Sequence, residues 1–193
     1  PGSITAPQGA PTVRVAIIDS WPTLTEIGES THGFGMAGIV EGLTCGLLGT
    51  SPCPIQTTPH LTLNLPNPGD PVAPGGYFGH IGRLAHQIHA AVRDWKKTAS
   101  SSDRLILNLS VGWDEVLSDT TTIPVQAVHD AIAWSVCQGG GDAVLVIAAA
   151  GNTSGNTSDP TQGSGPTYPA AWELEAAPAC VACPAGAACP LVY

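Results

Sequence analysis

Charge is scarce in this sequence, and positive charge scarcest. Asp, Glu, Lys and Arg make up 11% of its 193 residues, with 6 Lys and Arg against 15 Asp and Glu. The formal charge of −9 repels a phosphate backbone, and no basic cluster exceeds the pair Lys96-Lys97, which argues against nucleic acid as a partner. Long apolar runs are missing too. The longest, Ala143 to Ala150, falls far short of the roughly 20 residues that cross a bilayer, so no membrane partner is expected. The chain begins with Pro1 and has no basic region followed by an apolar run, so a signal peptide is either absent or already removed. Neither a Gly-x-Gly-x-x-Gly turn after the first strand nor a Gly-x-x-x-x-Gly-Lys-Ser/Thr loop occurs, and Gly139-Gly140-Gly141 precedes a strand instead of opening a helix, which disfavours an α/β nucleotide-binding module. No acidic cluster has calcium-loop spacing, and neither a metal nor a cofactor is expected.

What is present is apolar and turn-rich. Apolar residues at 43%, with 23 Gly and 18 Pro, describe a compact, loop-rich chain, and its length suits one core. Six cysteines, at 45, 53, 137, 180, 183 and 189, fall into two local groups suited to disulfide staples of short Pro/Gly-rich loops. Cys180-x-x-Cys183 has zinc-like spacing, but Cys189 is only a third nearby ligand and no histidine follows, so disulfides are favoured. That points to an oxidising compartment, secreted or periplasmic.

Residues 1–11 read as a leader or linker and residues 12–193 as one domain. Val13 to Ile18 is a run of mostly β-branched apolar residues between Pro11 and Asp19-Ser20, as expected of a strand buried on both faces of a parallel sheet. Met36 to Val40 predicts a tightly packed helix with His32 at its amino end. From Thr44 to Gly76 the chain is rich in Pro, Gly and Thr, and only the alternating segment His60 to Leu65 suggests a half-exposed strand. Ile81, Leu84, Ala85, Ile88, Val92 and Trp95 recur at helical spacing, predicting an amphipathic helix that packs on a sheet. A strand at Leu105 to Leu109, a helix at Val125 to Val136 and a strand at Ala143 to Ala148 complete an alternating pattern. The fold class implied is α/β with a mostly parallel central sheet, in which sites form beyond the carboxyl ends of the strands. Asp19, Ser110 and Asn152 all fall at or just past such ends.

Taken singly, each of these residues has an ordinary role: Asp19 as a turn or cap residue, His32 as a backbone partner, Asn152 as a left-handed turn residue. Their order is more informative. VAIIDS (Val15 to Ser20), STHGFGMAGIV (Ser30 to Val40), LILNLSVG (Leu105 to Gly112), VLVIAAAGN (Val144 to Asn152) and Tyr168-Pro169-Ala170 succeed one another as do the motifs of the subtilisin-like serine proteases, and the chain resembles that family from about Val13 to Ala170. The resemblance implies a three-layer subtilisin-like fold and peptide-bond hydrolysis by an Asp-His-Ser triad, with a polypeptide as substrate. On that likeness His32 is the general base and acid, Asp19 orients and stabilises it, and Asn152 donates to the oxyanion. Ser110, Val111 and Gly112 would form one wall of the primary specificity pocket, and Ala149, Ala150 and Gly151 the other, with extended backbone at 110–112 pairing with a substrate strand.

Two features depart from the family. Asp19 and His32 are 13 positions apart, closer than in typical members. The nucleophile motif Gly-Thr-Ser-x-x-x-Pro occurs nowhere, and Ser110 belongs to the binding strand and cannot replace it. The expectation is a partial catalytic domain, incomplete at the C-terminus, whose parent supplies the serine. The alternative is a catalytically inactive subtilase-like binding or scaffolding domain.

Overall fold

The computed structural model describes residues 12–19, 32–43, 55–61, 81–113, 123–138, 141–150, 167–180 and 189–193. Their elements alternate: β1 (Val13–Asp19), α1 (His32–Glu41), β2 (Ile55–Leu61), α2 (Ile81–Lys96), β3 (Arg104–Leu109), α3 (Ile123–Val136) and β4 (Val144–Ala148), followed by a short 3-10 helix (Ala170–Leu174). The strands form one parallel sheet in the order β2-β1-β3-β4. This is the α/β class with a parallel sheet that the sequence pattern implies. No described helix is long and apolar enough to cross a membrane.

Strand alternation sends the side chains of β1 to two different layers. Ala16 and Ile18 join Leu105, Leu107 and Leu109 of β3 and Val144 and Val146 of β4 beneath α2 and α3. Val15 and Ile17 point the other way, to Ala37, Met36 and Val40 of α1, with Ile106 of β3 on the same side. All five residues from Val15 to Asp19 are buried, because both faces of β1 are covered. α2 turns Leu84, Ala85, Ile88, Ala91, Val92 and Trp95 to the core, the stripe its spacing predicts.

The second strand differs from expectation. It spans Ile55–Leu61, overlapping the alternating stretch only at His60 and Leu61, and pairs with β1 from Val13↔Ile55 to Asp19↔Leu61. Among the described strands it lies at an edge, the position in a sheet where Pro59 is tolerated, and its polar Gln56, Thr57, Thr58 and His60 mask the apolar signal. Residues 62–65 of the anticipated strand lie outside the described residues.

The last part of the chain is bolted down from several directions. Tyr193 donates its N–H to Val146 (2.9 Å) and accepts from Ala148 (2.9 Å), so it lies along the edge of β4 away from β3, with Leu191 and Val192 buried beside it. Ala176 bridges Pro190 in antiparallel fashion. Trp172 is buried against Trp113 (ring centroids 5.8 Å), Tyr168 (5.6 Å) and His129 of α3 (5.1 Å). A disulfide joins Cys137, just past α3, to Cys180, 43 positions on, with Cα atoms 5.3 Å apart. This is a long-range staple between a helix and the C-terminal segment and not the closure of a short local loop. Chain proximity alone therefore misjudges this pairing, since α3 and residues 167–180 meet only through tertiary packing.

Candidate active site

In a sheet of order β2-β1-β3-β4 the chain leaves β1 toward one neighbour and later fills the position on its other side. The carboxyl ends of β1 and β3 thus flank a crevice of the kind in which open α/β sheets bind ligands. Asp19 is the last residue of β1, and Ser110 follows β3 directly.

α1 brings His32 to this edge. Its sheet-facing positions are Gly33, Met36, Ala37 and Val40, spaced as one helical stripe, and the small Gly33 and Ala37 are the buried ones. Small residues allow close approach of helix to sheet, and His32 in the first turn then reaches the strand end. Its Nδ1 lies 2.8 Å from Asp19 Oδ2 and 3.0 Å from Oδ1. Asp19 is only 2% exposed and is the one buried charged side chain among the described residues; His32 keeps 35% of its side-chain surface exposed.

Physical chemistry assigns the protons. A carboxylate accepts and cannot donate, so Nδ1–H donates to Asp19 and the Nε2 atom carries the ring's lone pair. A buried carboxylate is costly without compensation, and the contact with His32 supplies part of it. In return the imidazole is held in one tautomer and one orientation, and a positive charge developing on it would meet a fixed negative charge across 2.8 Å of low-dielectric surroundings.

Beside the pair lie two short stretches of small residues. On one side run Ser110, Val111 and Gly112, with Ser110 Oγ accepting a hydrogen bond from Asn108 Nδ2 (2.8 Å). On the other lie Ala149 and Ala150, anchored where the Ala149 N–H donates to Leu109 O (3.0 Å). Gly112, Ala149 and Ala150 are exposed. Gly151 and Asn152, the remaining wall and oxyanion positions anticipated from sequence, lie outside the described residues.

Three contributors were not foreseen in the sequence. Asn108 interrupts the apolar run of β3 and orients Ser110; a lone polar residue in a buried strand is the signal that could have found it. Thr167 reaches between the two walls, its N–H donating to Ala150 O (3.0 Å) and its hydroxyl to Ala149 O (3.4 Å). Trp172 carries the floor under Trp113 and Tyr168 and left no local signal.

None of the described serines is placed as a partner for His32. Ser110 is engaged by Asn108, Ser135 is fully buried in α3 with its hydroxyl donating to Ile132 O (2.7 Å), and Ser100, Ser101 and Ser102 precede β3 at the opposite edge of the sheet. Titration shifts among the described residues lie away from this crevice. Burial lowers the pKa of His60 on β2 and of His89 on α2, while hydrogen bonds lower those of Asp94, from Lys97, and Asp103, from the backbone of Ser100 and Thr12. Compared with protein-family models, with curated proteins and with solved structures, the chain matches none.

Proposed function

We propose that this chain carries the aspartate and histidine of a serine endopeptidase with a subtilisin-like fold, acting on polypeptide substrates without a metal or cofactor. The observation that supports it most is the hydrogen bond between buried Asp19 and half-exposed His32 at the carboxyl edge of a parallel sheet, next to two walls of small residues. In this mechanism a substrate strand lies along residues 110–112. His32 Nε2 removes the proton of the attacking serine hydroxyl as its oxygen adds to the carbonyl carbon of the scissile bond. The resulting imidazolium, stabilised by Asp19, passes the proton to the departing amine. Water repeats the sequence to release the acyl group. Asn152 donates to the carbonyl oxygen as negative charge develops on it.

The serine is not among the described residues near His32, and its family motif is absent from the sequence, so the proposal takes it from outside these 193 residues. Exposed apolar residues are consistent with a covering element. On the side of the sheet that α1 covers, Leu145 and Ile147 of β4 are 36% and 38% exposed, and Ile39 of α1 and Leu43, two residues past its end, stand out at 52% and 59%. A helix that is apolar on its outer face as well as its inner one is suited to burial on both. The disulfide between Cys137 and Cys180 favours a secreted or periplasmic setting.

The test is covalent labelling by a serine-directed phosphonate, applied to the native gene product and to the 193-residue chain. Labelling of the first but not the second is expected, and it should disappear in the first on substitution His32→Ala. A native protein that takes no label, or takes it equally without His32, would refute the proposal and leave a binding or scaffolding domain as the alternative.

A further inference from the structure

On the α2 side of the β1–β2 pair, several buried polar groups have nothing to bond. Arg14 is the second residue of β1, and strand alternation turns it to the side on which Ala16 and Ile18 meet α2. Through the pairs Arg14↔Gln56, Ala16↔Thr58 and Ile18↔His60, Thr58 and His60 of β2 face the same way. Three side-chain atoms of this layer are cut off from water without a hydrogen-bond partner: Nε of Arg14, Oγ1 of Thr58 and Nε1 of Trp95, which α2 turns to the core. Two of the three can only donate, and a buried donor left unpaired is costly. What satisfies such a group is an acceptor.

Charge in this layer is unbalanced in the same sense. Among the described residues no carboxylate forms an ion pair with Arg14; its Nη2 donates to the neutral Thr98 Oγ1 (3.0 Å). The two carboxylates whose charges are felt here are committed elsewhere. Asp94 is bound by Lys97 (2.7 Å), and Asp103 accepts from the backbone N–H groups of Thr12 (2.9 Å) and Ser100 (2.7 Å). Burial, opposed by Asp94 and aided by Arg14, lowers the pKa of His60, so at neutral pH Arg14 is the charged member of the three. Arg14 and Thr58 are diagonal neighbours on adjacent strands, a separation that a long side chain spans, and only the methyl of Ala16 stands between them on this face.

We infer that Arg14 and Thr58 bind a small oxyanion of the class of inorganic sulfate or phosphate. The guanidinium fork supplies charge-assisted donors, Nε–H among them, and the Thr58 hydroxyl donates to a further oxygen. Gln56 and Thr98, which adjoin Arg14, are exposed, so the ion enters from solvent. Bound there, it ties β2 to β1 through side chains as well as through the strand ladder. The inference is independent of the proposed function, because Arg14 stands near the start of β1 and Asp19 at its end.

The test compares sodium sulfate, sodium phosphate and sodium chloride at matched ionic strength on the 193-residue chain. For a dissociation constant of about 2 mM, about 20 mM of either oxyanion should raise the melting temperature by about 3–6 °C over chloride, by mass action on the folded state. In nitrogen-15 NMR the Arg14 Nε–H resonance and the Thr58 amide should shift saturably with sulfate and phosphate and not with chloride. Thr58→Val keeps the β-branched shape and removes the orphaned hydroxyl. It should be as stable as the parent in chloride, or more so, yet bind sulfate about 5-fold or more weakly. Arg14→Gln should abolish the response, and Thr58→Val carries the test if that variant does not fold. One melting temperature in all three salts overturns the inference, as does a rise that both variants retain in full, which general salting-out would give. So does a Thr58→Val protein much less stable than the parent in chloride, since the hydroxyl would then have its partner within the chain.

Discussion

Gly112→Ala tests the packing of Thr167 against residues 110–112 directly. The new methyl carbon would stand 2.6 Å from Thr167 Oγ1, 3.2 Å from Thr167 Cβ and 3.3 Å from Tyr168 O. The first distance is well inside van der Waals contact, and the third involves a carbonyl already accepting from Trp113 N at 2.9 Å. Gly112 is outside the left-handed region, so alanine meets no backbone penalty, and stiffening of the unfolded chain would by itself favour the variant by about 0.4–1 kcal/mol. Overpacking at a site that cannot relax typically costs about 1–3 kcal/mol, so a net loss near 1–2 kcal/mol is expected. In a chain of this size that lowers the melting temperature by roughly 2–8 °C. Thr167→Gly removes the two contacts to that side chain and leaves only the one to Tyr168 O. In that background Gly112→Ala should therefore cost little or become neutral, giving a coupling of about 1–2 kcal/mol in a double-mutant cycle. Urea denaturation of the parent, both single variants and the double variant measures it. A Gly112→Ala variant as stable as the parent, or additive behaviour across the cycle, would show that Thr167 does not pack against Gly112.

Other consequences are equally direct. Removing the staple with the paired changes Cys137→Ala and Cys180→Ala opens a loop of 43 positions, and chain entropy puts the loss at about 4 kcal/mol; a loss below about 1 kcal/mol in non-reducing urea titrations would mean that packing alone holds the C-terminal segment. Trp172→Ala should cost about 3–5 kcal/mol, because a fully buried ring in contact with Trp113, Tyr168 and His129 is lost, and near-parental stability would contradict that packing. Folding lowers the pKa of His60 and His89 from 6.5, chiefly by burying them, so the unfolded chain binds protons first as pH falls. Their contribution is complete above pH 6.5 and is lost on acidification below it, whereas the depressed Asp94 and Asp103 act only as pH falls through their ordinary value of 3.8 and below. Stability measured from pH 7.5 to 5 should fall with acid, and the double variant His60→Gln, His89→Gln should flatten that slope.

Much of the scaffold is legible from residue order because its elements are held by periodic apolar burial. Val13 to Ile18 and Leu105 to Leu109 read as buried strands, and Ile81 to Trp95 as an amphipathic helix, since their patterns are set by which faces must leave water. The position of Asp19 follows from the end of β1, and the helix carrying His32 follows from its small and apolar residues. Their meeting at 2.8 Å does not follow from either segment alone; it needs α1 to dock Gly33 and Ala37 against β1. Strand β2 was anticipated too far along the chain, overlapping only at His60 and Leu61, because one described partner strand imposes little hydrophobic demand, so Pro59 and four polar residues could occupy it. The bridge formed by Thr167, the orientation of Ser110 by Asn108, the Trp172 cluster and the pairing of Cys137 with Cys180 belong to the tertiary structure. Apart from the local contact of Asn108 with Ser110, each joins residues from different elements, and no local propensity or period encodes such contacts, because they depend on how the packed layers bring distant backbone together.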